Sequence, residues 1–310
     1  MERPRQYKPL TPRAVVELAA PHTWPASILP VALGTALSLA RGQPLRPGVL
    51  LSTLFAAVLL QCAVNTLNDY ADFVKGTDTL ENSDDPTDAA LVYHGFNPRC
   101  ALILGGVFLL LAAACGVYTV VVAGWIPLVI GIIGGIVVLL YSMGRLPISY
   151  LPLGEFFSGV VMGGGITLAC FTAQSGIFDW KVLWYALPCI LTIGLIMLGN
   201  NTSDVERDRS AGRHTLAVLL GRRRSALLLK ALLVIAMALT AHMVFWNFRG
   251  GFFLLPVMVI AAALQLWNFF PSTVDPSVRG QTMRVVVNCH KVINSCYVFM
   301  IATHLLREVV

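Results

Sequence analysis

Apolar residues in this chain gather into long unbroken blocks. They follow neither the 3.6-residue period of a surface helix nor the alternation of a half-buried strand. A helix that crosses the hydrocarbon core of a bilayer needs about 20 such residues. Nine blocks qualify, near residues 24–40, 48–68, 100–120, 122–142, 152–173, 182–202, 225–246, 251–270 and 285–306. The pattern predicts an all-α, polytopic membrane protein with about nine transmembrane helices, in one domain over residues 1–310.

Composition agrees. The chain is 56% hydrophobic and 12% charged, whereas soluble domains carry about 25% charged residues. A water-soluble core protein is excluded. The net charge of +6 suggests nucleic acid only until the basic residues are placed. With the N-terminus in the cytoplasm, fifteen Lys and Arg fall on the cytoplasmic side and five on the other (Arg41, Arg46, Lys181, Arg249 and Arg307). That bias orients helices in a bilayer, so the expected partner is lipid and not nucleic acid. Met1–Arg13 reads as a basic cytoplasmic tail; Pro21, Pro25 and Pro30 interrupt the stretch that a signal peptide would need. The seven cysteines are scattered and form no Cys-x-x-Cys, so they are expected to be free.

Acidic residues are scarce, and ten of the sixteen sit in two clusters, each directly after an apolar block. The first runs Asn65-Thr-Leu-Asn68-Asp69-Tyr-Ala-Asp72-Phe-Val-Lys75 and on through Asp78, Glu81, Asp84, Asp85 and Asp88. The second runs from Asn200 and Asn201 through Asp204, Glu206 and Asp208 to Arg213 and His214. Asn65, Asn68, Asp69 and Asp72 share one helical face, as do Asn201, Asp204 and Asp208. Two carboxylates about 6 Å apart repel by roughly 3 kcal/mol at an effective dielectric of 20, so a cation is expected between them. Mg²⁺ suits such oxygen ligands, taking one or two carboxylates and completing its shell with water and phosphate. The acidic run after Asp78 reads as a solvated loop.

A shift of 136 residues lays Asn65, Thr66, Asp72, Gly76, Thr79 and Leu80 on Asn201, Thr202, Asp208, Gly212, Thr215 and Leu216. The clusters end the second and sixth blocks, an even number of crossings apart. A parallel internal duplication of helices 1–4 and 5–8 is expected, with halves at about 20–150 and 151–275 and an extra helix at about 285–306. Duplicated membrane folds place their sites between the halves.

At these residues the chain resembles the UbiA superfamily of membrane prenyltransferases. Its Asn-Asp-x-x-Asp and Asp-x-x-x-Asp motifs stand here as Asn68–Asp72 and Asp204–Asp208. Trp24 to Gly34, Asn68 to Asp78, Leu153-Gly-Glu155 and Asn200 to Gly221 look most like the 1,4-dihydroxy-2-naphthoate prenyltransferases of menaquinone synthesis. The resemblance implies Mg²⁺ bound by Asn68, Asp72, Asp204 and Asp208, with Asp69 contributing to catalysis. It implies a polyprenyl diphosphate held by Lys75, Arg145 and Arg213. Asn65 and Asn201 would line the site, and Tyr141 would orient an aromatic acceptor. A bacterial inner membrane with both motifs cytoplasmic is the implied location. The chain departs from the family at Ala20 and Ser203, where arginines are usual. Two other classes fit less well. A transporter would carry its polar residues at the midplane, and a phosphatidyltransferase would need an Asp-Gly-x-x-Ala-Arg string that does not occur.

Overall fold

The computed structural model describes residues 7–76 and 89–309, with side chains to Leu306. The acidic run from Asp78 to Asp88 lies outside the described residues. Short α1 (Pro12–Ala19) leads through a bend of 55° into α2 (Pro25–Ala40). Ala20 ends α1 at φ 46°, ψ 67°, a left-handed conformation that a side chain disfavours. Then come α3 (Pro47–Lys75), short α4 (Ala90–His94), α5 (Pro98–Ala123) and α6 (Ile126–Ser142). The second part of the chain holds α7 (Gly154–Ser158) and α8 (Ile166–Ser175), joined by a π-helical stretch over Gly159–Gly165. It continues with α9 (Val182–Tyr185), α10 (Leu187–Ser203), α11 (Val205–Ser210) and α12 (Leu216–Leu220), and ends with α13 (Arg222–Asn247), α14 (Leu255–Leu266) and α15 (Arg279–Val309).

Each of the nine apolar blocks falls on a helix. Among the described residues six helices are long and apolar enough to cross a membrane, seven if the bent α1–α2 pair counts as one span. The other two blocks fall on α6 and α10, each 17 residues, so length alone does not make them crossings. Proline in the first turn opens α2, α3, α5 and α10, where its missing N–H costs nothing and its φ is already helical.

The bundle is apolar outside as well as inside. Leu110 is 73% exposed, Val121 79% and Trp267 79%. Such a surface suits hydrocarbon and not water. The interior holds small and polar residues that let helices approach. A side chain at Gly34 would meet the carbonyl of Thr167 on α8 at 2.5 Å, and one at Gly163 would meet the backbone of Ile190 on α10 at 2.7 Å. Gly159 and Gly163 therefore form a packing surface against α10. The similar pair Gly131 and Gly135 has open space around it instead, so that face of α6 is not a packing seam within the chain. On α15, Lys291 points outward, while His290 and Asn294 turn inward to Thr192 at 2.9 Å each. All seven cysteines are free.

Candidate active site

The polar end of α3 meets the polar end of α10 and the turn that follows it. Asn68 donates from Nδ2 to Asp72 Oδ2 at 3.2 Å, one helical turn on, and accepts from Ser142 Oγ at the end of α6 at 2.9 Å. Opposite, α10 stops at Ser203 because Asp204 leaves helical geometry (φ −102°, ψ 16°), and α11 then carries Asp208. Beyond α11 the Arg213 N–H donates to the Asp208 carbonyl at 2.8 Å, which turns its side chain back between the motifs. Arg213 Nη2 reaches Asp72 Oδ1 at 2.5 Å and Nη1 reaches Asp208 Oδ1 at 3.5 Å. One guanidinium thus joins two carboxylates that lie 136 residues apart in sequence.

Tyr150 forms the floor of this cluster. The Arg213 guanidinium and the Lys75 ammonium each lie 4.8 Å from the centre of its ring, a cation–π distance. Lys75 also donates to the Ser142 carbonyl at 3.1 Å. Asp204 faces two other arginines, with Arg279 Nε at 3.2 Å and Arg207 Nη2 at 3.6 Å. Arg279 further donates to Asn200 Oδ1 at 2.6 Å. Asp72, Asp204 and Asp208 are all buried. Burial pushes the Asp208 carboxyl up to about 6, against the pull of Arg213. Burial also works against the Arg213 charge, but Asp72 and Asp208 outweigh it and hold the guanidinium above its ordinary value.

Three expected site residues do other work. Asp69 points away from Asp72, and its carboxylate accepts from the Ala90 N–H at 3.0 Å and the Leu91 N–H at 3.4 Å, capping α4. Asp69 thus leaves the face it is expected to share: it stands about 100° round the helix from Asn68 and meets the start of α4 instead. Asn65 donates to the Ala19 carbonyl at 3.2 Å and to Thr23 Oγ1 at 2.8 Å, fixing the α1–α2 bend to α3. Arg145 is exposed and forms no ion pair among the described residues. Asn201 lies at the site's inner edge, donating to Glu155 Oε1 at 2.9 Å. The Tyr141 hydroxyl is buried without a hydrogen-bond partner among the described residues. Arg279, Ser142 and Tyr150 also belong to the cluster, and nothing in their local spacing marks them.

Among the described residues, no three His, Cys, Asp or Glu side chains stand together as a ready metal cluster. Arginines hold the carboxylates in its place. The donors nonetheless fit a hard cation that arrives with phosphate oxygens. Asn68, Asp72, Asp204 and Asp208 offer only oxygen toward a metal, and Asp208 Oδ2 is buried with no partner among the described residues.

The chain matches the UbiA prenyltransferase family over residues 27–282. It is 36% identical over 220 residues to the 1,4-dihydroxy-2-naphthoate octaprenyltransferase of Bacillus subtilis (strain 168), covering 71% of this chain and 70% of that one. It is 31% identical over 256 residues to the UbiA prenyltransferase domain-containing protein 1 homolog of Drosophila melanogaster, covering 81% and 69%. A UbiA homolog from Archaeoglobus fulgidus bound to GPP and Mg²⁺ superposes with a TM-score of 0.63 over 94% of this chain and 99% of that one, at 15% identity. The same homolog bound to DMAPP and Mg²⁺ gives 0.59 over 91% and 99%, at 16% identity. The chain belongs to the UbiA prenyltransferase family. It is an integral membrane prenyltransferase.

Proposed function

We propose that this enzyme transfers a polyprenyl chain from its diphosphate to 1,4-dihydroxy-2-naphthoate, with loss of diphosphate and carbon dioxide, in menaquinone biosynthesis. The observation that carries the prenyl-diphosphate half is the convergence of Asp72 and Asp208 on Arg213. It joins the two motifs at one buried point with the charge and the oxygen donors that a metal-bound diphosphate needs. Asn68, Asp72, Asp204 and Asp208 would hold Mg²⁺, and the relatives solved with Mg²⁺ and a prenyl diphosphate support this. When bound, Mg²⁺ neutralises the charge that develops on the leaving diphosphate.

The chain's own residues supply the rest. Displaced from Asp72 and Asp208, Arg213 turns to the diphosphate oxygens, which a guanidinium binds in a forked geometry. Lys75, over the same Tyr150 ring, adds a second cation. Buried walls around the cluster keep water from the allylic centre. The naphthoate assignment rests on the likeness to the Bacillus subtilis octaprenyltransferase. A UbiA-type enzyme acting on another quinone or phenolic ring is the second reading, favoured by Ala20 and Ser203 standing where family arginines are usual. The motifs are read as facing the cytoplasm of a bacterial inner membrane, and the two halves as a duplication.

Competition between 1,4-dihydroxy-2-naphthoate and 4-hydroxybenzoate for a labelled prenyl diphosphate, in purified protein, decides between the acceptors. Label on the naphthoate product, with loss of carbon dioxide, is expected. Label only on the benzoate would retain prenyl transfer and reject the acceptor.

A further inference from the structure

One turn deeper than the acidic cluster stands an acid that the diphosphate chemistry does not use. Glu155 opens α7 and is buried at 8% exposure. Its Oε1 accepts from Asn201 Nδ2 at 2.9 Å. Its Oε2 is buried with no partner among the described residues. Asn201, in the last turn of α10, precedes Asp204 by three residues, so at about 1.5 Å of rise per residue Glu155 is held roughly one helical turn toward the apolar side of the carboxylates. The Tyr141 hydroxyl, likewise buried and unpartnered among the described residues, lies 3.7 Å from where a side chain at Gly154 would begin. The Tyr141 hydroxyl thus lies beside Gly154, the residue that precedes Glu155, and each of the two side chains has a buried oxygen with no partner among the described residues. Buried polar atoms are nearly always hydrogen-bonded, and two left open side by side mark a place for a polar ligand group.

We propose that Glu155 and Tyr141 form the acceptor subsite, and that the Glu155 carboxylate takes the hydroxyl proton of the aromatic acceptor as its ring is alkylated. The inference rests on the prenyl-transfer reading and deepens it. The ring carbon beside the hydroxyl bonds to the allylic carbon of the prenyl chain, whose bond to oxygen breaks, and the diphosphate leaves with the electron pair. The hydroxyl proton passes to Glu155 Oε2, which leaves a carbonyl on the ring, and the Tyr141 hydroxyl donates a hydrogen bond to the acceptor. Whichever group leaves the alkylated carbon next, carbon dioxide or a proton, its bonding pair restores the aromatic ring, and the oxygen recovers its proton from Glu155. Asn201 is a positioning residue here: by occupying Oε1 it aims Oε2 at the acceptor. This gives Asn201 a part in acceptor binding through Glu155, and gives the membrane-embedded acid a reason to exist.

The test uses full-length protein in nanodiscs, Glu155→Gln, Glu155→Asp and Tyr141→Phe variants, and a series of naphthols and phenols of graded hydroxyl acidity. Binding of Mg²⁺ with a prenyl diphosphate, measured separately, shows that each variant is folded and retains the first substrate. For weakly acidic acceptors Glu155→Gln should lower kcat by about 10²–10⁴-fold, the usual yield of a positioned base. The loss should shrink as acceptor acidity or solution pH rises, since an ionised acceptor no longer needs the base. Glu155→Asp should recover part of the rate, and Tyr141→Phe should raise the acceptor KM more than it lowers kcat. An unchanged kcat in Glu155→Gln, or an equal loss for every acceptor at every pH, overturns the proposal. A wild-type enzyme that prenylates no aromatic ring overturns the prenyl-transfer reading beneath it, and that result is visible before any variant is made.

Discussion

Removing Arg213 should have two opposite effects that few other substitutions combine. Without metal, its guanidinium is the shared counter-ion of Asp72 and Asp208, at 2.5 Å and 3.5 Å, with side chains only 10%, 7% and 2% exposed. In Arg213→Ala the two carboxylates face each other unshielded. Two unit charges about 6 Å apart at an effective dielectric of 20 repel by roughly 3 kcal/mol. Breaking a buried ion pair commonly costs about 3–5 kcal/mol. The metal-free variant should therefore melt well below wild type in EDTA. Bound Mg²⁺ relieves the same repulsion without having to displace an arginine, so the variant should bind it more tightly. If half of that roughly 3 kcal/mol reappears as binding energy, affinity rises about tenfold, at 1.4 kcal/mol per decade. Turnover should move the other way, by roughly 10²-fold or more, because the leaving diphosphate loses a charged donor. Calorimetric Mg²⁺ titration, melting with and without EDTA, and single-turnover kinetics measure the three effects. Wild-type Mg²⁺ affinity together with wild-type turnover would refute the reasoning, and so would weaker metal binding in a folded variant.

Other expectations follow from particular contacts. Asp69→Ala should destabilise the protein by about 1–3 kcal/mol, since it strips the cap from two buried N–H groups, while the folded fraction keeps its Mg²⁺ dependence; loss of metal binding would return Asp69 to the site. Asp208, pushed up to about 6 by burial, should lose its charge as pH falls through that value, so Mg²⁺ affinity measured at pH 5 should be weaker than at pH 7.5. The same shift makes the metal-free fold gain stability from this group as pH falls from about 6 toward the ordinary carboxylate range, the reverse of a salt-bridged acid. Gly163→Ala, whose new carbon would lie 2.7 Å from the Ile190 backbone, should cost about 1–3 kcal/mol, whereas Gly131→Ala, with open space around it, should be silent in a melting curve. Cysteines placed at Val74 and Ser210 should react with an impermeant thiol reagent from the same side of the membrane; labelling from opposite sides would break the topology on which a shared site depends.

The bundle was legible because hydrophobic block length is a strong signal when every backbone group must be satisfied inside the span. The count was less so: α6 and α10 are 17 residues each, short for a crossing. The two motifs were legible because carboxylates at the ends of apolar helices have few uses. Helical spacing alone failed for Asp69 and Asn65, since it says which residues share a face and not which neighbour that face meets. Asp69 meets the start of α4, and Asn65 meets the α1–α2 bend. Arg145 illustrates the converse: it sits at the right place in sequence, but its side chain is exposed beyond the end of α6. Arg279 and Tyr150 were not legible at all. They reach the cluster from α15 and from the turn before α7, and only the packing of distant helices brings them there.

If the two motifs form one metal–diphosphate site, a single binding measurement shows it. A non-reactive thiodiphosphate analogue of a prenyl diphosphate is titrated into wild type, Asp72→Asn and Asp208→Asn, with Mg²⁺ and with EDTA. One shared site predicts tight binding only in wild type with Mg²⁺, and a loss of roughly 10²-fold or more from either substitution alone, the cost of removing one partner from a buried charged cluster. Wild-type affinity in either folded variant, or binding that ignores EDTA, would contradict it.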